Sequence, residues 1–160
     1  MANYASILRA DIANGEGFRV SLFVTGCTRG CPGCFNPEAQ DPKFGKPFDE
    51  DAKKKIFAEL EHEWCKGLSL LGGEPLSKLS DNRKVVIELA KEVKEKFPQK
   101  DIWCWSGYTL EEIQNDDSMK DILKYVDVLV DGPFIEEQKD LSIPFRGSQN
   151  QRILKRGIDF

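Results

Sequence analysis

The stretch Arg19-Val20-Ser21-Leu22-Phe23-Val24-Thr25-Gly26-Cys27-Thr28-Arg29-Gly30-Cys31-Pro32-Gly33-Cys34 joins an apolar run to three closely spaced cysteines. Phe18 to Thr25 reads as a buried strand. The cysteines that follow are spaced C-x3-C-x2-C with no histidine nearby, a donor set that suits a thiophilic metal centre. A cubane cluster normally takes four cysteines. A loop that supplies Cys27, Cys31 and Cys34 leaves one iron without a protein ligand, as a centre needs if it binds and activates a substrate. Two other readings stand beside this one. Structural zinc wants four closed ligands, usually in two pairs, and here there is no second pair. Cys31-Pro32-Gly33-Cys34 is also a C-x-x-C dithiol, a reading that leaves Cys27 unexplained.

Outward from this loop, short apolar runs alternate with helical patterns. Asp49 to Trp64 reads as a helix with Asp49 placed to cap it and Ile56, Phe57 and Leu60 as its apolar stripe. Leu68 to Leu71 reads as a second strand, broken by Gly72-Gly73. A helix then opens at Ser80 or Asp81 and closes at Pro98. Asp101 to Ser106 is a third strand, Thr109 caps a short helix, Met119 to Leu123 forms a helical turn, and Val126 to Val130 is a fourth strand. Pro144 to Gln151 reads as loop. Strands alternating with helices predict βαβ units and a parallel sheet. With 160 residues, the chain is short of the roughly 250 of a complete eightfold barrel. The expectation is therefore an α/β fold, a partial TIM-like β/α barrel formed as one domain over residues 1–160.

The unusual residues fall at one edge of that sheet. The cysteine loop follows the first strand, Gly72-Gly73-Glu74-Pro75 the second, Ser106-Gly107-Tyr108 the third and Asp131-Gly132-Pro133 the fourth. In parallel α/β sheets the carboxyl edge carries the site, so the four segments are expected to build one site. Gly72-Gly73-Glu74-Pro75 alone reads equally well as a turn. Beside a cluster, its carbonyls or Glu74 can accept hydrogen bonds from an ammonium group.

The chain carries a formal net charge of −4, with its lysines spread along helical segments. No basic stripe asks for nucleic acid. No apolar run approaches a membrane span and no secretory leader pattern is present. Five cysteines, three of them crowded together, argue against a disulfide framework and for reduced thiols in the cytoplasm. Cys65, read at the end of a helix, and Cys104, inside a strand, are expected as small buried hydrophobes. Trp103 and Trp105 are expected to pack, against helices. The lone His62 is expected as a solvated residue within a helix.

Taken together, C-x3-C-x2-C after the first strand and GGEP after the second resemble the radical S-adenosylmethionine superfamily. Within it, the chain is similar to the small activating proteins of anaerobic ribonucleotide reductase. The matching segments are Asn14-Gly15-Glu16-Gly17-Phe18-Arg19, Cys34-Phe35-Asn36, Asp131-Gly132-Pro133-Phe134 and Phe145-Arg146-Gly147-Ser148-Gln149-Asn150-Gln151-Arg152. The resemblance implies a 4Fe-4S cluster on Cys27, Cys31 and Cys34, its fourth iron completed by the amino and carboxylate groups of S-adenosylmethionine. It implies that Gly33, Cys34 and Phe35 line the adenosine side and that Gly72, Gly73 and Glu74 take the amino group. Ser106 is the candidate for the ribose edge and Asp131 for a further polar contact. Where relatives place an aromatic residue before the third cysteine this chain has Gly33, and Phe35 is the aromatic neighbour.

The activity implied is reductive cleavage of S-adenosylmethionine to methionine and a 5′-deoxyadenosyl radical, which takes a Cα hydrogen from a glycine. The glycine would belong to the catalytic subunit of anaerobic ribonucleotide reductase. An electron donor such as flavodoxin or a reductase is implied as a second partner, and neither membrane nor nucleic acid. The alternatives are an activase of another glycyl-radical enzyme of the pyruvate formate-lyase type, another small radical S-adenosylmethionine enzyme and, more distantly, a non-catalytic iron–sulfur or zinc protein. The polar segment from Phe145 to Arg152, with Arg146 and Arg152, is expected to dock the partner.

Overall fold

The computed structural model describes residues 2–27, 40–78 and 81–160. It is a mixed α/β fold on one seven-stranded sheet of order β3-β1-β2-β4-β5-β6-β7. Strands β2 (Phe18–Val24), β4 (Cys65–Gly72), β5 (Asp101–Ser106) and β6 (Val128–Asp131) run parallel. These are the four strands expected from the apolar runs. The sheet is not wholly parallel, however. Strands β1 (Asn3–Asp11) and β3 (Lys46–Pro47) add antiparallel on one side, and β7 (Arg152–Lys155) adds antiparallel to β6 on the other.

Helices α1 (Glu50–Leu60), α2 (Asn82–Lys96) and α3 (Leu110–Gln114) supply the connections. Asp49 caps α1 by accepting from the Ala52 N–H at 3.0 Å. Thr109 and Glu112 form a reciprocal capping box on α3, which satisfies two of the donors that a helix start leaves open. Helix α1 ends at Leu60, short of the expected Trp64. His62 therefore lies beyond the helix, exposed and stacked on Trp64 with ring centroids 4.9 Å apart. Cys65 opens β4 rather than closing a helix.

The period-two alternation of the strands gives the sheet two unlike faces. Val20, Leu22, Val24, Leu68, Leu70, Ile102, Cys104 and Leu129 meet Ile56 and Leu60 of α1, Val86, Leu89 and Val93 of α2, and Ile113 of α3 in one continuous core. The opposite face carries Arg19, Ser21, Ser69, Trp103 and Trp105. Its tryptophans stack at 5.6 Å, and Phe145 sits edge-on to Trp103 at 5.1 Å. They pack against a loop and not against helices, because residues 103 and 105 alternate with the helix-facing Ile102 and Cys104.

Arg19 is fully buried on that second face. Its Nε donates to Ser69 Oγ at 2.7 Å, and Nη1 and Nη2 donate to the carbonyls of Glu16 and Leu68, each at 3.0 Å. An ion pair to Asp101 at 2.7 Å completes the set. Gly15, at φ +112, lies where a Cβ would come within 2.9 Å of this side chain, so the Asn14–Arg19 motif is built around burying one guanidinium across β2, β4 and β5. Removing one partner of a buried ion pair leaves the other uncompensated. Because Asp101 keeps some access to water, Arg19→Met should cost about 3 kcal/mol, the low end for such losses, read as a lower urea midpoint at unchanged slope.

Candidate functional site

The carboxyl edge of the parallel strands opens onto a cavity of about 380 Å³. Cys27 after β2, Gly72, Gly73 and Glu74 after β4, Ser106 and Gly107 after β5, and Gly132 after β6 all line it. The four segments singled out by strand order therefore converge on one space. Cys31, Cys34, Gly33 and Phe35 lie outside the described residues.

Backbone hydrogen bonds fix the floor of this space. Gly73 N–H donates to the Val24 carbonyl and Glu74 N–H to the Gly26 carbonyl, both at 2.8 Å, so the β2–β4 contact runs past the strand ends into the cysteine loop. Cys27 N–H donates to the Gln40 carbonyl at 3.0 Å where the chain returns. Asn82, fully buried at the start of α2, donates from Nδ2 to the Thr25 carbonyl at 2.5 Å. Gly72 adopts φ +115, and a Cβ there would lie 2.5 Å from the Val24 carbonyl oxygen. The constraint on this glycine comes from the protein's own backbone.

The Glu74 carboxylate is 3 % exposed. It accepts from Ser106 Oγ at 2.8 Å, from the Gly107 N–H at 2.6 Å and from the Leu76 N–H at 3.1 Å. Charge-assisted bonds of this kind are about twice as strong as neutral ones. Ser106 Oγ in turn accepts from the Tyr108 N–H at 3.1 Å. Ser106 thus lines the cavity with its hydroxyl directed to Glu74. Asp131 sits differently from the other candidates. It is 1 % exposed, accepts from the Leu110 N–H at 2.7 Å, and is paired with Arg152 through Nε at 3.0 Å and Nη2 at 2.5 Å. Arg152 also pairs with Glu111 at 2.8 Å, and these carboxylates raise its pKa. Arg152 braces α3 against β6 and β7, and Gly132, not Asp131, is the cavity residue there.

The segment from Phe134 to Gln151 also lines the cavity; from sequence, Pro144 to Gln151 reads as loop and Phe145 to Arg152 as a polar stretch expected to dock the partner. The side chains of Ser148, Asn150 and Gln151 bond within it or to the turn just before it. Gln151 donates to the Gly132 carbonyl at 3.0 Å and accepts from the N–H groups of Gly147 at 2.8 Å and Ser148 at 3.2 Å. Asn150 donates to the Pro133 carbonyl at 2.8 Å, and Ser148 Oγ donates to Asn150 Oδ1 at 2.6 Å. Trp105 Nε1 donates to the Phe145 carbonyl at 2.7 Å. Phe134, Phe145 and Arg146 reach the cavity. An isolated polar loop gave no sign of this role; only the indole donor of Trp105 on the facing strand could have suggested it.

The residues present fit an iron–sulfur centre. A half-buried cysteine stands at the cavity, at the root of the loop holding the other two cysteines, with carbonyl-bearing glycines across the floor. Cys65 and Cys104 are buried in the helix-side core. Burial pushes both thiols upward, Cys104 further through the nearby Glu74 carboxylate.

The sequence profile of the 4Fe-4S single cluster domain matches residues 13–154, so the class is that of a protein carrying one such cluster. Among curated proteins, the chain is 43 % identical over 155 residues to the anaerobic ribonucleoside-triphosphate reductase-activating protein of Pasteurella multocida, covering 96 % of this chain and 97 % of that one. It is 44 % identical to the protein of the same name from Vibrio cholerae, covering 94 % and 96 % of the two chains. The counterpart in Enterobacteria phage T4 is 40 % identical, covering 94 % and 92 %. The chain belongs to the family of anaerobic ribonucleoside-triphosphate reductase-activating proteins.

Three outcomes follow from the geometry. Gly72→Ala should lower the melting temperature by several degrees through backbone strain at positive φ. Gly73→Val should leave melting nearly unchanged and weaken S-adenosylmethionine binding in calorimetry; unchanged binding would make the segment a turn only. In the native apoprotein at pH 8, iodoacetamide should label Cys27 well before Cys65 and Cys104, as mass spectrometry of the peptides would show.

Proposed function

We propose that this chain is the activase of anaerobic ribonucleoside-triphosphate reductase, using a 4Fe-4S cluster and S-adenosylmethionine to place a glycyl radical on that enzyme's catalytic subunit. The observation that carries it is the convergence of Cys27 and the Gly72–Glu74 edge on one cavity in a chain of this family. Bound together, the two cofactors supply one-electron reductive cleavage of the sulfonium, giving a primary carbon radical able to take a glycine Cα hydrogen.

The chain's own residues hold and orient. Cys27, Cys31 and Cys34 would ligate the cluster, with Gly33 and Phe35 beside the adenosine. The carbonyls of Gly72, Gly73 and Glu74 are the acceptors for the α-ammonium group. The Glu74 side chain, fixed by Ser106 and Gly107, keeps that floor in register with β5. Trp105, Phe134 and Phe145 make the cavity wall apolar and keep water from a reactive carbon. We read the four parallel strands with their site loops at one edge as part of an incomplete β/α barrel within a single domain. No helix among the described residues is long and apolar enough to cross a membrane, which agrees with a cytoplasmic place beside the reductase and an electron donor such as flavodoxin.

Anaerobically reconstituted protein, dithionite and S-adenosylmethionine should yield a glycyl-radical doublet in electron paramagnetic resonance of the reductase, and none on pyruvate formate-lyase. The reverse result would assign the chain to the other activase. Cys27→Ala, Cys31→Ala and Cys34→Ala should each abolish 5′-deoxyadenosine formation, whereas Cys65→Ala and Cys104→Ala should retain it.

A further inference from the structure

Arg146 is the one cationic side chain among the described residues that line the cavity. Its Nη1 donates to the Gln151 carbonyl at 3.2 Å, while Nε is buried with no hydrogen-bond acceptor among the described residues. Nε has no open surface, so Arg146 meets the cavity through the rest of its side chain. Of the carboxylates near it, Asp140 has its pKa lowered by its bonds to Ser142 and Gln149 and, behind them, by the Arg146 charge, without an ion pair between the two. Asp140 accepts from the Ser142 N–H at 2.9 Å and from Gln149 Nε2 at 3.1 Å, and Glu74 accepts from Ser106, Gly107 and Leu76. Among the described residues no carboxylate lies within ion-pair distance of Arg146. The backbone before it is held in place: Phe145 adopts φ +63, a strained conformation for a bulky residue. Its carbonyl accepts from Trp105 and its ring rests on Trp103.

An α-amino acid head group carries one cation and one anion on a single carbon. The cavity offers carbonyl acceptors at Gly72–Glu74 and one guanidinium at Arg146, which complement that pair. We propose that Arg146 recognises the carboxylate of the methionine end of S-adenosylmethionine, and so sets which sulfonium compounds the cavity accepts. Arg146 then belongs to cofactor binding, not to a docking surface. The inference rests on the reading of the site given above. A carboxylate on the polypeptide substrate has the same chemistry, and the experiment separates the two sources.

The measurement is calorimetry on the anaerobically reconstituted protein without reductant, so that no turnover contributes. The ligands are S-adenosylmethionine and its decarboxylated analogue, S-adenosyl-3-methylthiopropylamine. Arg146→Ala should weaken S-adenosylmethionine about tenfold or more, the scale of a lost charge-assisted pair. It should leave the analogue unchanged, and Arg146→Lys should recover part of the loss. Unchanged affinity for S-adenosylmethionine, or equal loss for both ligands, overturns the proposal. Arg146→Ala that keeps S-adenosylmethionine affinity but loses affinity for the reductase assigns the contact to the polypeptide and also overturns it. Failure of the wild-type protein to bind S-adenosylmethionine at all would defeat the reading of the site, and this inference with it.

Discussion

A carboxylate held almost out of water, that of Glu74, ties the carboxyl ends of two neighbouring parallel strands together. Three of its donors come from the end of β5, from the turn that follows it and from its own turn. Parallel strands are joined through long crossovers, so nothing local sets how their terminal loops stand to one another. A buried anion with donors on both sides does set it, because any displacement leaves charge without hydrogen bonds. The adjacent backbone bonds from Gly73 to Val24 and from Glu74 to Gly26 carry the same register into the cysteine loop. The carboxylate thus holds Ser106 and Gly107 against the Gly72–Glu74 turn, and the backbone of that turn meets the strand end leading to Cys27.

The two faces of the sheet are finished by different means. Helices cover one with aliphatic side chains in a continuous core. The other is closed by a buried arginine between β2, β4 and β5, and by an aromatic group of Trp103, Trp105 and Phe145. Polar and aromatic residues suit this second face because it ends in a cavity, where groups must meet both protein and ligand.

Much of this was legible in the sequence, for identifiable reasons. The four parallel strands show as apolar runs because both faces are buried. The site loops follow because strand order alone puts them at one edge. Strand β1 escaped because nearly all of its length is exposed or part-exposed and its residues Asn3-Tyr4-Ala5-Ser6-Ile7-Leu8-Arg9-Ala10-Asp11 do not alternate cleanly. Strand β3 is two residues long and contains Pro47, and β7 is four residues at the far edge. The roles of Ser106, Asp131 and Arg152 were hidden as well. Whether a polar side chain faces a ligand or another residue depends on partners tens of positions away, as Arg152 does on Glu111 and Asp131.

The segment Gly147-Ser148-Gln149-Asn150-Gln151 has a bearing on how short signatures are read. It belongs, with Arg146 before it, to the part of the chain that most narrowly marks the branch by resemblance. Yet Ser148, Asn150 and Gln151 direct their side chains to amides and one another within the strap and to the Gly132 and Pro133 carbonyls of the turn before it. Such a string is a folding instruction, written in side chains that replace the backbone pairing a loop lacks. A diagnostic word in a sequence can thus identify a lineage by its carpentry as much as by its chemistry.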